Sequence, residues 1–280
     1  MIPSSERFTL VSFHAHPDDE ALLTGGLLGR SAAEGHRVVL VTATAGERGL
    51  AGDRDRDGDG LADVRMTELA ASARILGCAR VVGLGYADSG LHPEPDDPSA
   101  FSNQDAVRCA AALADVLREE RADVLTIYDP NGGYGHPDHV QVHRVGVLAA
   151  RLAGTPVVLE ATAPGRLFAG VLRALAFLGH PLGGSAPLGA GRVFSRRDLI
   201  THRVRVRGAL RRKRAAMAAH GSQRRGGTGR RALDRFARLP LPVFWLVFGR
   251  EWYVEHGRRA PARLDDVFIS LRGSPDGTAG

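Results

Sequence analysis

The stretch His14-Ala15-His16-Pro17-Asp18-Asp19-Glu20 decides how this chain is read. It follows the apolar run Phe8 to Phe13 directly and precedes a helix-like segment, expected over about Asp19 to Glu34 and stopped by Gly35. Five of its seven residues bind metals or move protons. Pro17 stiffens the turn and keeps His16 extended. Carboxylates and imidazoles packed this densely repel one another unless a cation sits among them. A second stretch, Asp129-Pro130-Asn131-Gly132-Gly133-Tyr134-Gly135-His136-Pro137-Asp138-His139, also lies between a strand-like run and a helix-like one.

Working outward, apolar runs at Arg37 to Ala43, Arg80 to Leu84, Asp123 to Tyr128 and Pro156 to Leu159 read as four further strands. Between them, Leu69, Ala73 and Leu76 predict a helix over Met66 to Leu76. Val107, Ala110, Ala114 and Leu117 mark the apolar face of the next helix, and Val142, Val145, Ala149 and Leu152 that of another. Asp53 to Asp63 reads as a polar insert, and Ala87 to Gln104 as a loop. Strands alternating with helices over short loops predict an α/β fold, a Rossmann-like, mostly parallel sheet flanked by helices. The expected division is a catalytic core over 1–165 and a C-terminal elaboration over 166–272, packed on that core. In the elaboration, Leu167 to Leu178 reads as an apolar helix, Gly179 to Gly191 as a loop and Arg203 to Ala219 as a basic helix. Leu241 to Phe248 and Val267 to Leu271 read as strands, and residues 273–280 as a disordered tail.

Composition narrows the setting. The chain has 280 residues, of which 44% are hydrophobic and 24% charged, as in globular proteins. No signal peptide and no transmembrane run is visible, and Cys78 and Cys109 read as reduced core residues, so a cytoplasmic location is expected. The net charge of +6 is uneven: thirteen Lys or Arg and one Asp between 196 and 231 carry +12, leaving −6 for the rest. That basic segment reads first as a solvated Arg-rich helix and mobile loop, and second as a peripheral membrane contact. It lacks interleaved aromatics, so no nucleic-acid partner is expected. The Asp55 to Asp63 loop resembles a calcium loop, but Met66 stands where the closing Glu belongs, which favours a solvated acidic loop over calcium.

In open parallel sheets ligands bind at the carboxyl ends of the strands. There, His16 to Asp19 follow strand one, Glu47 follows strand two, Asp88 follows strand three and Tyr134 to His139 follow strand four. His16 and Asp19, three apart, can face one ion, with His139 as the third ligand. Three protein ligands with an open position is the layout of a catalytic zinc, although the set would also accept Fe2+ or Co2+. Asp18 is then placed to take a proton from a metal-activated water. His136 and Tyr134 are left to stabilise an oxyanion or protonate a leaving amine, and Asp138 to orient His136. Of the remaining histidines, His220 alone is a candidate for lining the site, whereas His14, His36, His143, His180 and His202 read as structural.

His16-Pro17-Asp18-Asp19-Glu20 together with Tyr134-Gly135-His136-Pro137-Asp138-His139 resembles the LmbE-like/PIG-L family of zinc-dependent de-N-acetylases, especially its branch in mycothiol biosynthesis. The resemblance runs from about residue 8 to 160 and weakens after that. It implies one zinc on His16, Asp19 and His139, with Asp18 as general base and His136 and Tyr134 at the tetrahedral intermediate. It also implies that Arg65 and Asp88 bind sugar, and Glu47 joins them as a substrate-facing residue. The implied reaction removes an acyl group, usually acetyl, from a glucosamine-type small molecule. Two alternatives use the same fold: an amidase on a larger thiol or glycolipid conjugate, and a non-catalytic sugar-binding module. A homo-oligomer is compatible with the sequence. A dinucleotide oxidoreductase is set aside, because no Gly-x-Gly-x-x-Gly turn follows the first strand.

Overall fold

The computed structural model describes residues 6–48, 60–164, 194–222, 231–259 and 263–272. Its seven-stranded sheet has the order β3-β2-β1-β4-β5-β7-β6. The strands are β1 (Thr9–His14), β2 (Arg37–Thr44), β3 (Arg80–Tyr86), β4 (Val124–Tyr128), β5 (Val157–Thr162), β6 (His202–Arg205) and β7 (Arg250–Glu255). The first five run parallel, and β7 runs antiparallel to both β5 and β6. The expected α/β class with a mostly parallel sheet is therefore observed.

Strand alternation sorts the core onto two faces. Leu10 of β1 packs with Leu27, Leu28 and Val38, while its neighbours Val11 and Phe13 pack with Leu113, Val142 and Val145. One face is covered by α2 (Gly25–Ala33), α3 (Gly60–Leu76) and α6 (Leu210–Ala219), the other by α4 (Ala106–Glu120) and α5 (Pro137–Ala153). The order reverses at β1, which pairs with β2 on one side and with β4 on the other. A crevice opens at such a switch point, between the loops leaving the two strands. The loops leaving β1 and β4 are the two polar stretches picked out in the sequence.

The helix expected over about Asp19 to Glu34 is two helices, α1 (Asp19–Leu23) and α2, broken at Thr24. The break exposes a fresh helix N-terminus, and Glu251 of β7 fills it, accepting the Gly26 and Leu27 N–H groups at 2.8 Å each. The same carboxylate accepts from Lys213 Nζ at 2.5 Å and from the Tyr253 hydroxyl at 2.8 Å, so this buried charge is fully met.

Other expectations need correction. Gly60 to Asp63 belong to α3, not to a polar insert. Val107 and Leu152 are exposed, off the buried faces of α4 and α5. His202 to Arg205 form a strand with alternating burial, so the basic helix begins only at Leu210. Leu241 to Phe248 is a helix (α8): an eight-residue apolar run has no period of its own, and Pro240 and Pro242 suit a helix start. It follows α7 (Arg231–Ala237). Val267 to Leu271 is a turn with a 3-10 helix at Ile269–Leu271. Strand β7 was not foreseen. The expectations for residues 53–59, Leu167 to Leu178, Gly179 to Gly191, Gln223 to Arg230 and 273–280 lie outside the described residues.

Two tests follow from this packing. A Cβ on Gly146 of α5 would stand 2.5 Å from Ile127 Cγ2. Ile127 is β-branched and cannot turn aside. Gly146→Ala should therefore cost about 1–3 kcal/mol in denaturant unfolding, as overpacking does. The second concerns Glu120, which joins the sheet to α4 by accepting from Arg37 Nε at 2.6 Å and Arg80 Nη1 at 2.8 Å. The Arg37 hydrogen bond holds its carboxyl below the usual value, ahead of the opposing effect of burial. A depressed folded pKa stabilises above the unfolded pKa and is lost on acidification through the folded one. The stability gap between the native chain and Glu120→Gln should be full near neutrality and shrink as pH falls below about 4.3.

Candidate active site

Three polar groups meet at the switch point. His16 Nδ1 lies 3.4 Å from Asp19 Oδ2, and His139 Nε2 lies 3.3 Å from that same oxygen. Each is set by its chain neighbours. The Asp19 carboxylate accepts from the His16 N–H at 3.2 Å and from the Tyr128 hydroxyl at 2.7 Å. Tyr128 also stacks flat on His139, its ring 4.1 Å away. His139 stands in the first turn of α5 and gives its Nδ1–H to Gly132 O at 3.2 Å. That close approach needs a glycine: at φ 64°, a Cβ on Gly132 would meet Val140 N at 2.8 Å. The loop between is pinned by buried Asp129, which accepts from the N–H groups of Asn131, Gly133 and Ser195 and from the Thr162 hydroxyl.

In the neutral ring, with Nδ1–H given to Gly132 O, His139 Nε2 carries a lone pair, and this buried atom has no hydrogen-bond partner among the described residues. An orphan acceptor facing an imidazole and a carboxylate is what a divalent cation would complete. Two atoms each about 2.0–2.1 Å from a tetrahedral zinc stand about 3.3 Å apart. The 3.4 and 3.3 Å separations match that spacing. His16, Asp19 and His139 thus fit a metal, with the other His16 nitrogen held from behind, as outer partners hold metal-ligating histidines. Its Nε2 lies 3.1 Å from Asp138 Oδ2 and 3.3 Å from Asp88 Oδ1. Burial alone would lower the His16 pKa, but Asp138, Asp19 and Asp88 outweigh it and hold the ring well above its ordinary value. In Asp19, burial is likewise outweighed by His139 and His16, and its pKa sits well below the usual range. The pocket calls for positive charge. A second grouping of His16, Asp88, His136 and Asp138 could also hold a cation, but in it His16 Nε2 is already met by two carboxylates.

Asp18 caps α1 in an unusual way. Its φ of 111° turns the side chain away from the helix, so the carboxylate caps nothing. Such a conformation costs an L-residue about 1–3 kcal/mol. The carboxylate lies 3.6 Å from Arg65 Nη2, with a quarter of the side chain exposed. The surrounding loops shield it enough that burial, against the opposing pull of Arg65, pushes its pKa up to about 6. His136 caps α5, its Nδ1 accepting the Asp138 N–H at 3.2 Å, which leaves Nε2–H as the donor of the neutral ring. Burial, helped by the neighbouring His16 and His139, brings its pKa down to about 4. Tyr134 is half exposed, its ring 5.0 Å from that of His139.

Asp138 does not orient His136 through its carboxylate. That group takes Ser89 N–H, the Ser89 hydroxyl and His16. Arg65 is buried and donates to Pro17 O and Gly46 O, its Nε unpartnered among the described residues. Asp88 is buried against His16, and Glu47 accepts the Asp88 N–H at 2.6 Å while its Oε2 has no partner among the described residues. His220 is buried and pairs with Glu20 at 2.7 Å. Sequence reasoning missed Tyr128, Ser89 and Asp129. Tyr128 carried no signal separating it from a core aromatic, whereas Asp129, first after the strand, was open to a reading as a loop organiser.

The profile of the PIG-L family, described as GlcNAc-PI de-N-acetylase, matches residues 11–150, half of the chain. The chain belongs to the PIG-L family. A relative from Acidothermus cellulolyticus, 1D-myo-inositol 2-acetamido-2-deoxy-alpha-D-glucopyranoside deacetylase, is 39% identical over 94% of this chain and 95% of its own. A deacetylase 1 of the same name from Catenulispora acidiphila is 48% identical over 52% of this chain and 49% of its own. The chain thus spans about half the length of several curated relatives it matches. Solved structures sharing the PIG-L fold include deacetylases and also GalB, the 4-carboxy-2-hydroxymuconate hydratase of Pseudomonas putida KT2440. GalB is 17% identical over 92% of this chain and 99% of its own, with a TM-score of 0.62. The fold therefore carries more than one chemistry, and the reaction must be argued from the side chains.

His139→Ala should drop bound metal well below one per chain after dialysis against zinc, whereas Asp18→Asn should keep it. Excess zinc at about 100 times its Kd should raise stability by about 2.7 kcal/mol in the native chain and not in His139→Ala. Metal analysis and thermal unfolding check both.

Proposed function

We propose that this PIG-L protein is a zinc-dependent hydrolase that removes an N-acetyl group from a glucosamine-type substrate. One observation carries the reading: the uncapped, partly exposed Asp18 carboxylate beside a three-donor set whose His139 Nε2 is orphaned. A binding module would need no uncapped carboxylate next to its ligands. The Acidothermus relative, matched along nearly its whole length, supports an amino-sugar inositol glycoside as the substrate class.

His16, Asp19 and His139 would hold the ion, which when bound acidifies water and polarises an amide carbonyl. Asp18 takes a proton from the attacking water. The Tyr134 hydroxyl and His136 Nε2–H donate to the oxygen that gains charge as the carbonyl carbon becomes tetrahedral. Asp18 then returns its proton to the departing amine, so the base becomes the acid. Asp138 and Asp88 hold His16 from behind and keep its Nδ1 aimed inward. Glu47, whose Oε2 has no partner among the described residues, accepts a sugar hydroxyl.

The test is metal analysis together with acetate release from a panel of N-acetylglucosaminides, the inositol glycoside included, with and without a chelator. Acetate release that a chelator abolishes and zinc restores is expected. Asp18→Ala should keep the metal and lose turnover by on the order of 10²-fold or more. Turnover near that of the native chain would remove Asp18 from the reaction.

A further inference from the structure

The carboxylate of Asp18 caps no helix N–H, because something else holds its backbone. An N-cap Asp ordinarily turns its side chain inward to accept an N–H of the first turn. At Asp18 that inward turn is absent, and φ stands at 111°. The Asp18 N–H is instead gripped by Glu20 Oε2 at 2.9 Å. Glu20, at the second position of α1, thus reaches back only two residues, one short of the spacing of a capping box. Glu20 is wholly buried, and its other oxygen accepts the Ser72 hydroxyl of α3 at 2.5 Å and His220 Nε2 at 2.7 Å. Three donors from three elements thus converge on one carboxylate. His220 closes α6 and lies outside the residues that match the family profile.

We infer that Glu20 and His220 are a positioning pair for Asp18. Glu20 fixes the Asp18 peptide in its positive-φ state, and His220 fixes the Glu20 rotamer. The C-terminal part of the chain thereby sets the aim of the base. Neither residue touches the reacting atoms. An acid that merely tied α3 and α6 to α1 would have no need to reach the Asp18 N–H. This inference rests on Asp18 acting as the base, and its test separates the two.

The variants are Glu20→Gln, His220→Ala and His220→Gln, compared with the native chain for metal content, for kcat and KM on the best N-acetylglucosaminide of the panel, and by crystal structure. Glu20→Gln and His220→Ala should keep one metal and an unchanged KM, with kcat down about 10–100-fold, the size of effect seen for outer partners of a site. His220→Gln, whose amide can donate to Glu20 Oε1, should recover most of the loss. Asp18 should leave positive φ in crystals of Glu20→Gln. Native kcat in Glu20→Gln overturns the inference, as does a His220→Gln chain no better than His220→Ala. If the native chain releases no acetate, the proposed reaction fails by itself. The pair is then judged by the Asp18 φ alone, and a value still near 111° in Glu20→Gln overturns it.

Discussion

Buried negative charge is the constraint around which this molecule is arranged. Asp19, Glu20, Asp88 and Asp138 are each at most a tenth exposed and lie on adjoining loops and first turns. Carboxylates so placed must be met by cations or hydrogen-bond donors, or their neighbourhood comes apart. The groups that meet them come from different parts of the chain: Ser89 from the loop after β3, His139 from α5 and His220 from the end of α6. Charge balance therefore ties sheet, helices and C-terminal segment to one point, and the place left for a further cation is the one His139 Nε2 faces.

The parallel sheet and the convergence of loops were legible because strand runs and polar stretches alternate in order, and the strand-end rule then places every loop on one rim. His16, Asp19 and His139 were legible for a related reason, since their residue types are rare in such density without a shared ligand. The partner of Asp138 was not. A carboxylate next to two histidines in sequence can turn to either, and only the fold brings His16, over a hundred residues earlier, nearer than His136. Leu241 to Phe248 failed for want of periodicity, and strand β7 hid because its alternation spans only six residues, Arg250 to Glu255.

The histidines read as structural show how the same residue type serves packing. His14 shares hydrogen bonds with Ser12 and Thr24 beneath the site, and burial brings its pKa down to about 4. His36 accepts the Phe8 N–H and packs against the Phe268 ring. Both are hydrogen-bonded to neutral partners, in contrast to His16 and His139, which face carboxylates.

Strand β5 has one neighbour close in sequence, β4, and its other neighbour arrives some ninety residues later, with Leu159 opposite Glu255. During synthesis the five parallel strands are complete well before β7 emerges. For that interval one flank of β5 presents open peptide groups, the arrangement most prone to pairing with another chain. The late strand thus acts as a stopper: it seals the growing sheet and in the same movement delivers Glu251 to the broken helix at Gly26. A nascent chain stalled before that point would leave the ribosome sticky, and its helix α2 uncapped.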